Sequence, residues 1–257
     1  MNHLSVKHTI RFLACVLYFL SSAILAQTQL GSDLTGDHND SRFGGAVALT
    51  FDGSRLAVGA SNSDTNGMNA GLVRVFQWSN GAWNQVGADL TGKATEERFG
   101  ASVAISSNGN RLAVGAPGID FDSGRVRVFE WIGDTWVQLG EEIPGEDAAD
   151  AFGRSVSLSS SGHRLAVGAH FADGPAMQAG HVRVFEWSGS DWVQLGSDID
   201  GEAFEDLLGN SVSLSSDGDR LAIGAPQYGW NNVPGYVKTY QWSGADWVPF
   251  GGTLVGN

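Results

Sequence analysis

The chain has 257 residues, a net charge of −13 and 36 glycines, about twice the usual glycine share. Apolar residues at 42% and charged residues at 17% exclude an intrinsically disordered chain, and 6 prolines exclude a collagen-like or Pro-rich linker. So acidic a balance repels nucleic acid and anionic lipid and favours cations or basic partners.

At the start of the chain, Lys7 and Arg11 precede an apolar run from Phe12 to Ala26 that is broken only by Ser21 and Ser22. Residues 1–26 read as a secretory signal, with cleavage expected near Ser21-Ser22-Ala23 or Ile24-Leu25-Ala26. The run falls short of the ~20 residues that span a bilayer, which ranks an uncleaved anchor second and leaves no membrane span after cleavage. The chain is therefore expected to be secreted, on the cell surface or in a periplasm. Cleavage removes Cys15, the only cysteine, so disulfides and thiol catalysis are excluded from residues 27–257. It also leaves 13 basic against 28 acidic residues, a net charge of −15.

Four homologous units follow, starting at Phe43-Gly44, Phe99-Gly100, Phe152-Gly153 and Leu208-Gly209, which are 56, 53 and 56 residues apart. Internal repetition at such a period signals a repeat architecture. Each unit holds four short runs of period-two alternation, the signature of half-buried strands. The first run follows the Phe-Gly. An Asx/Gly turn such as Ser215-Ser216-Asp217-Gly218-Asp219 leads to the second, Arg-Leu-Ala-Val-Gly-Ala at 55–60, 111–116 and 164–169, with Ile223 in the last copy. The third resembles Val182-Arg183-Val184-Phe185-Glu186-Trp187, and the fourth Trp192-Val193-Gln194-Leu195-Gly196. No segment keeps a 3.6-residue period. The expectation is an all-β propeller of four-stranded antiparallel blades. Units run at about 43–98, 99–151, 152–207 and 208–257, with a leading outer-type strand at 28–36. That spare strand leaves open a closed four-blade ring, an open part of a larger propeller, and two copies joined as a homodimer or larger array.

Phe-Gly at the head of a unit and Gly-Ala-Pro after its second strand (Gly115-Ala116-Pro117, Gly224-Ala225-Pro226) resemble the FG-GAP repeat of integrin α-chain propellers and of secreted bacterial proteins. The resemblance covers 43–257 and implies a propeller used in adhesion or binding. Leu208 replaces Phe in the fourth unit, and Ser61 and His170 replace Pro in the first and third. The family's calcium loop between Phe-Gly and Gly-Ala-Pro is replaced by four-residue turns, too short for six to eight oxygen ligands. Its calcium sites are therefore not carried over, and no cofactor is expected from the resemblance.

Propeller geometry puts the connections between second and third strands (61–71, 117–124, 170–180, 226–235) and between units on one face. These vary between copies, and variation on a fixed scaffold marks a binding face. Candidate ligand contacts are Trp230, the one tryptophan outside the repeated pairs, with Asp120, Asp122 and Asp173. Asn62, Asp64 and Asn66 follow the alternate-residue spacing of a calcium loop without its closing Glu, so a calcium site competes with a plain Asx-rich turn. The between-unit acids Asp37, Asp40, Glu96, Glu97, Glu146, Asp147, Asp150, Glu202, Glu205 and Asp206 read as an acidic rim. His38, His163, His170 and His181 fall at unrelated positions, and no nucleophile or metal-ligand motif is present. The reading is a secreted non-catalytic binding or adhesion module for an extracellular protein, glycan or cation. The alternatives are a propeller-type polysaccharide hydrolase or lyase and a structural segment of a larger surface protein.

Overall fold

The structure is a computed structural model that describes residues 29–118, 123–227 and 234–256. The expected leader at 1–26 lies outside the described residues. Twenty strands and no helix make up the described part. Unit 1 contains β1 (Phe43–Leu49), β2 (Arg55–Ala60), β3 (Leu72–Ser79), β4 (Ala82–Gln85) and β5 (Leu90–Thr91). Unit 2 contains β6 (Ser102–Ile105), β7 (Arg111–Ala116), β8 (Arg125–Ile132), β9 (Thr135–Gln138) and β10 (Ile143–Pro144). Unit 3 contains β11 (Ser155–Leu158), β12 (Arg164–Ala169), β13 (His181–Trp187), β14 (Trp192–Gln194) and β15 (Ile199–Asp200). Unit 4 contains β16 (Ser211–Leu214), β17 (Arg220–Ala225), β18 (Tyr236–Trp242), β19 (Trp247–Pro249) and β20 (Leu254–Val255).

Each unit is one antiparallel meander whose first three strands pair in sequence order. The outer edge is a single strand interrupted once: β4 and β5 both pair with β3, through Trp78 with Trp83 and Val73 with Leu90. The break falls at Gly87, with φ of 77°, and recurs at Gly140 and Gly196. A Cβ at Gly87 or Gly140 would meet the next unit's tryptophans at 2.9 and 2.8 Å, which is why glycine sits there. The leading strand expected at 28–36 does not form: residues 29–36 carry no strand. Every third strand already has its own outer partner, the pairing that the spare strand's sequence matches.

The core lies in the seams between successive blades. Ala57, Val73 and Val75 of unit 1 pack against Phe99, Leu112, Val114, Phe129 and Trp136 of unit 2. The same pairing of faces recurs between units 2 and 3 and between units 3 and 4. Among the described residues no such cluster joins unit 4 to unit 1. Among the described residues the four blades follow one another as an arc, with apolar side chains exposed on the first blade (Val47, Leu49) and on the last (Val237, Leu254, Val255).

The repeated motif explains each seam. The glycine ending one blade's second strand abuts the glycine of the next blade's Phe-Gly: a Cβ on Gly115 would overlap the Gly153 carbonyl, and Gly59 and Gly168 meet Gly100 and Gly209 in the same way. The Ser102 and Ser155 hydroxyls donate to the Gly153 and Gly209 carbonyls at 2.7 Å. Arg55, Arg111 and Arg164 reach across to the 1–2 turn of the next blade, donating to Gly109, Gly162 and Gly218 carbonyls at 2.8, 3.1 and 3.1 Å. The tryptophan pairs form tilted or edge contacts at 5.1–5.6 Å. Trp192 and Trp247 also donate from their indole nitrogens to Leu139 and Leu195 of the preceding blade, at 3.0 and 2.9 Å. Trp136, Trp192 and Trp247 thus fasten successive blades.

Candidate functional site

The between-unit connections and the 2–3 loops share one face, and its geometry is built from repeat equivalents. Each connection carries two non-glycine residues of positive φ: Asp40 and Arg42, Glu96 and Arg98, Ala149 and Ala151, Glu205 and Leu207. This fold-back is pinned by a buried polar side chain one residue before the second of them. Glu97 accepts from the Lys93 and Ala94 amides, the latter at 3.0 Å. Asp150 accepts from Asp147 N–H at 3.0 Å, and Asp206 from Glu202 and Ala203 N–H at 2.9 Å each. Three carboxylates expected in a solvated acidic rim are therefore interior fasteners, and Glu97 further pairs with Arg127 at 2.9 Å. Their environments differ. Burial raises the Asp150 carboxyl above the usual range, with the Asp147 amide opposing. Burial is also the largest influence on Asp206, but hydrogen bonds from Tyr236, Ala203, Gln227 and Glu202 together hold it below the usual range.

The 2–3 loops are less diverse than their sequences suggest. Loops 61–71 and 170–180 share one clasp: Asp64 accepts from Asn69 N–H and Asp173 from Gln178 N–H, both at 2.8 Å. Asn69 and Gln178 both have positive φ, 49° and 52°. Of the three calcium-loop candidates, Asp64 closes this clasp, Asn66 donates to the Gly92 carbonyl at 2.7 Å, and Asn62 accepts from Ser61 at 3.4 Å. Asp173 lines a notch with Asp147, Asp150, Met177 and Gln178. Asp120, Asp122 and Trp230 lie outside the described residues.

A pocket of about 590 Å³ sits where the four units converge. Its wall takes equivalents from every blade: Gly45, Ala101, Arg154 and Asn210, one residue past each Phe-Gly or Leu-Gly, then Arg42, Arg98 and Ala151, then Ser61, Pro117 and His170 from the start of the 2–3 loops. His170 is 6% exposed, stacks on Phe171 at 3.9 Å, and its Nδ1 has no hydrogen-bond partner. Burial, and secondarily the positive charge of Arg154, push its imidazole down to about 4. Phe171, 42% exposed, completes the wall.

A second constellation crosses a seam. Glu146, His181 and Asp198 bring potential ligand atoms within 4.8 Å of one another. His181 is 5% exposed with Nε2 unpartnered, while Glu146 is already paired with Arg183 at 3.0 Å. The sequence separates its members by tens of residues, so no local motif announces it. The axial pocket was hidden for the same reason, although the repeat alignment placed its residues in register.

These blades, with short turns on one face and the folded connections on the other, define a repeat protein of the β-propeller class. Residues 145–185 match the family model described as FG-GAP repeat, so the chain carries that repeat at its third unit, where the motif reading placed it. No curated protein matches the chain. Among solved structures, the periplasmic gluconolactonase of Pseudomonas aeruginosa is similar at 15% identity and TM-score 0.59, over 88% of this chain and 60% of that one. The hydrazine synthase of Kuenenia stuttgartiensis is similar at 15% and 0.53 over 88% and 53%, and the Dos1 propeller at 14% and 0.51 over 82% and 47%. At these identities the likeness concerns the fold. The chain spans about half to three fifths of the length of these structures.

Proposed function

We propose that the chain is a secreted, non-catalytic binding module that presents its connection-and-loop face, with the axial pocket at its centre, to an extracellular protein, glycan or cation. The observation that carries this reading is the asymmetry of the two faces. One face bears short turns closed on themselves, as where Thr50 and Ser54 cap Asp52. The opposite face carries the longer loops and the pocket. Concave sites on a rigid scaffold, lined by loops, are where recognition concentrates. The apolar end faces support association into a homodimer or larger array.

Arrays of glycans and extracellular proteins, probed with and without calcium, test the reading. Binding is expected on some members. It should disappear when 61–71 and 170–180 are scrambled with the circular dichroism spectrum preserved. Retained binding by the scrambled chain, or turnover of any polysaccharide, overturns it.

A further inference from the structure

The cations of this acidic chain are distributed in two ways. Most described arginines are committed: Arg55 to Gln77 and Gly109, Arg74 to Asp37 and Asp89, Arg111 to Glu130, Arg125 to Glu142, Arg127 to Glu97, Arg164 to Glu186 and Asp219, Arg183 to Glu146. Arg42, Arg98 and Arg154 differ. None has an ion-pair or side-chain hydrogen-bond partner among the described residues, and Arg98 Nε is buried with nothing to donate to. All three line the axial pocket, and no Asp or Glu is among the described residues of its wall. They come from two different repeat positions in three different blades, so no single repeated structural role explains their convergence.

Cations gathered in one pocket repel one another, and a buried guanidinium nitrogen left unpaired, as at Arg98 Nε, costs stability. His170 adds a second unpartnered polar atom to the wall, its Nδ1. The cavity, about 590 Å³, exceeds a bare inorganic anion and lies in the usual range for small organic ligands. Phe171 and Pro117 supply an apolar side against which a ring could lie. Planar guanidinium forks match carboxylate, sulfate and phosphate oxygens in bidentate fashion.

We propose that the axial pocket binds the oxyanion of a sugar-sized ring compound, with Arg42, Arg98 and Arg154 gripping the anionic group and His170 contributing a hydrogen bond beside it. This assigns a ligand class to the face identified above and rests on that reading. It also runs against the overall charge: a chain of net −13 excludes anions from most of its surface and admits one at a single point.

Titration calorimetry of the purified chain with galacturonate, galactose 6-sulfate, galactose 6-phosphate and neutral galactose tests the proposal. At least one charged sugar is expected to bind with a Kd below about 1 mM and galactose at least about tenfold more weakly. Raising salt should weaken the charged ligand. R42Q and R154Q alter exposed side chains, and each should lose about tenfold, whereas R220Q, remote from the pocket, should bind normally. Side-chain NMR of His170 should shift on titration. Binding unchanged in both pocket variants, or no binding of any charged sugar, overturns the proposal. The loop-scrambling result stands apart: array binding lost on scrambling while every charged sugar fails would retain the binding face and reject only the ligand class.

Discussion

The seams between blades and the two ends of the arc are made of the same repeat positions, yet they behave differently. At a seam, Val73 is fully buried, while its equivalent Val237 on the free face of unit 4 is 36% exposed. Leu254, at the site where Ile143 and Ile199 are buried in units 2 and 3, stands in solvent, as do Val47 and Leu49 on the free face of unit 1. Arg164 staples the next turn, whereas Arg220 lies over Phe250 of its own unit. Gly168 is walled by Gly209, and Gly224 meets only the Ser211 side chain nearby. A repeat residue therefore has no fixed worth. It stabilises through its neighbour blade, as expected of an array whose stability is a sum of units and interfaces.

The sharpest way to break the contrast is to add one methyl to equivalent glycines. G115A or G168A drives a Cβ into backbone of the next blade and should cost above about 4 kcal/mol or prevent folding, whereas G224A should cost below about 1 kcal/mol, both read by urea denaturation. Comparable losses at the two sites would dissolve the distinction. Next in size is W192A, which empties a seam and strips the Leu139 carbonyl of its donor; about 3–5 kcal/mol is expected, against about 2 kcal/mol or less for W83A on the free face of unit 1.

A third test uses pH. The His170 imidazole falls from its ordinary 6.5 to about 4, chiefly by burial and then by Arg154. The unfolded chain therefore takes up a proton that the folded chain refuses between these values. Its contribution to stability is complete above pH 6.5 and is lost as pH falls toward 4, by at most about 3 kcal/mol. Arg42, Arg98 and Arg154 share the pocket, and Asp150, raised by burial, titrates in the opposite sense nearby. H170Q should flatten the acid limb of the stability curve, and an unchanged limb would show that the histidine is not its source. The smallest effect is expected for A149G, which relieves a non-glycine φ of 71° and should stabilise by about 0.5–1 kcal/mol in thermal melts.

Much of the fold was legible because the signal was written four times. The turn chemistry of Ser215 to Asp219, the alternation through Val182 to Trp187 and the Phe-Gly spacing place strands 1 to 3 of each unit where the structure has them. The broken outer strand was missed, since its interruption at Gly140 serves the tryptophans of the next blade rather than its own turn. The strand expected at 28–36 failed because the outer side of every third strand, the partner its sequence matches, is already taken by that unit's own outer strand. The acidic rim was misread in part: Glu97, Asp150 and Asp206 look like surface acids in composition, and only the fold-back of their own backbone shows that they serve buried amides.

By itself the sequence determined the unit: strand lengths, turn types and the register that repeats every fifty-odd residues, all local consequences of alternation and turn residues. Tertiary structure decided what the copies do to one another. Which glycine touches which carbonyl, where three arginines from separate blades meet, and that the described seams number one fewer than the blades are relations between segments far apart in the chain. Periodicity acts within a strand, whereas burial and charge pairing act across space.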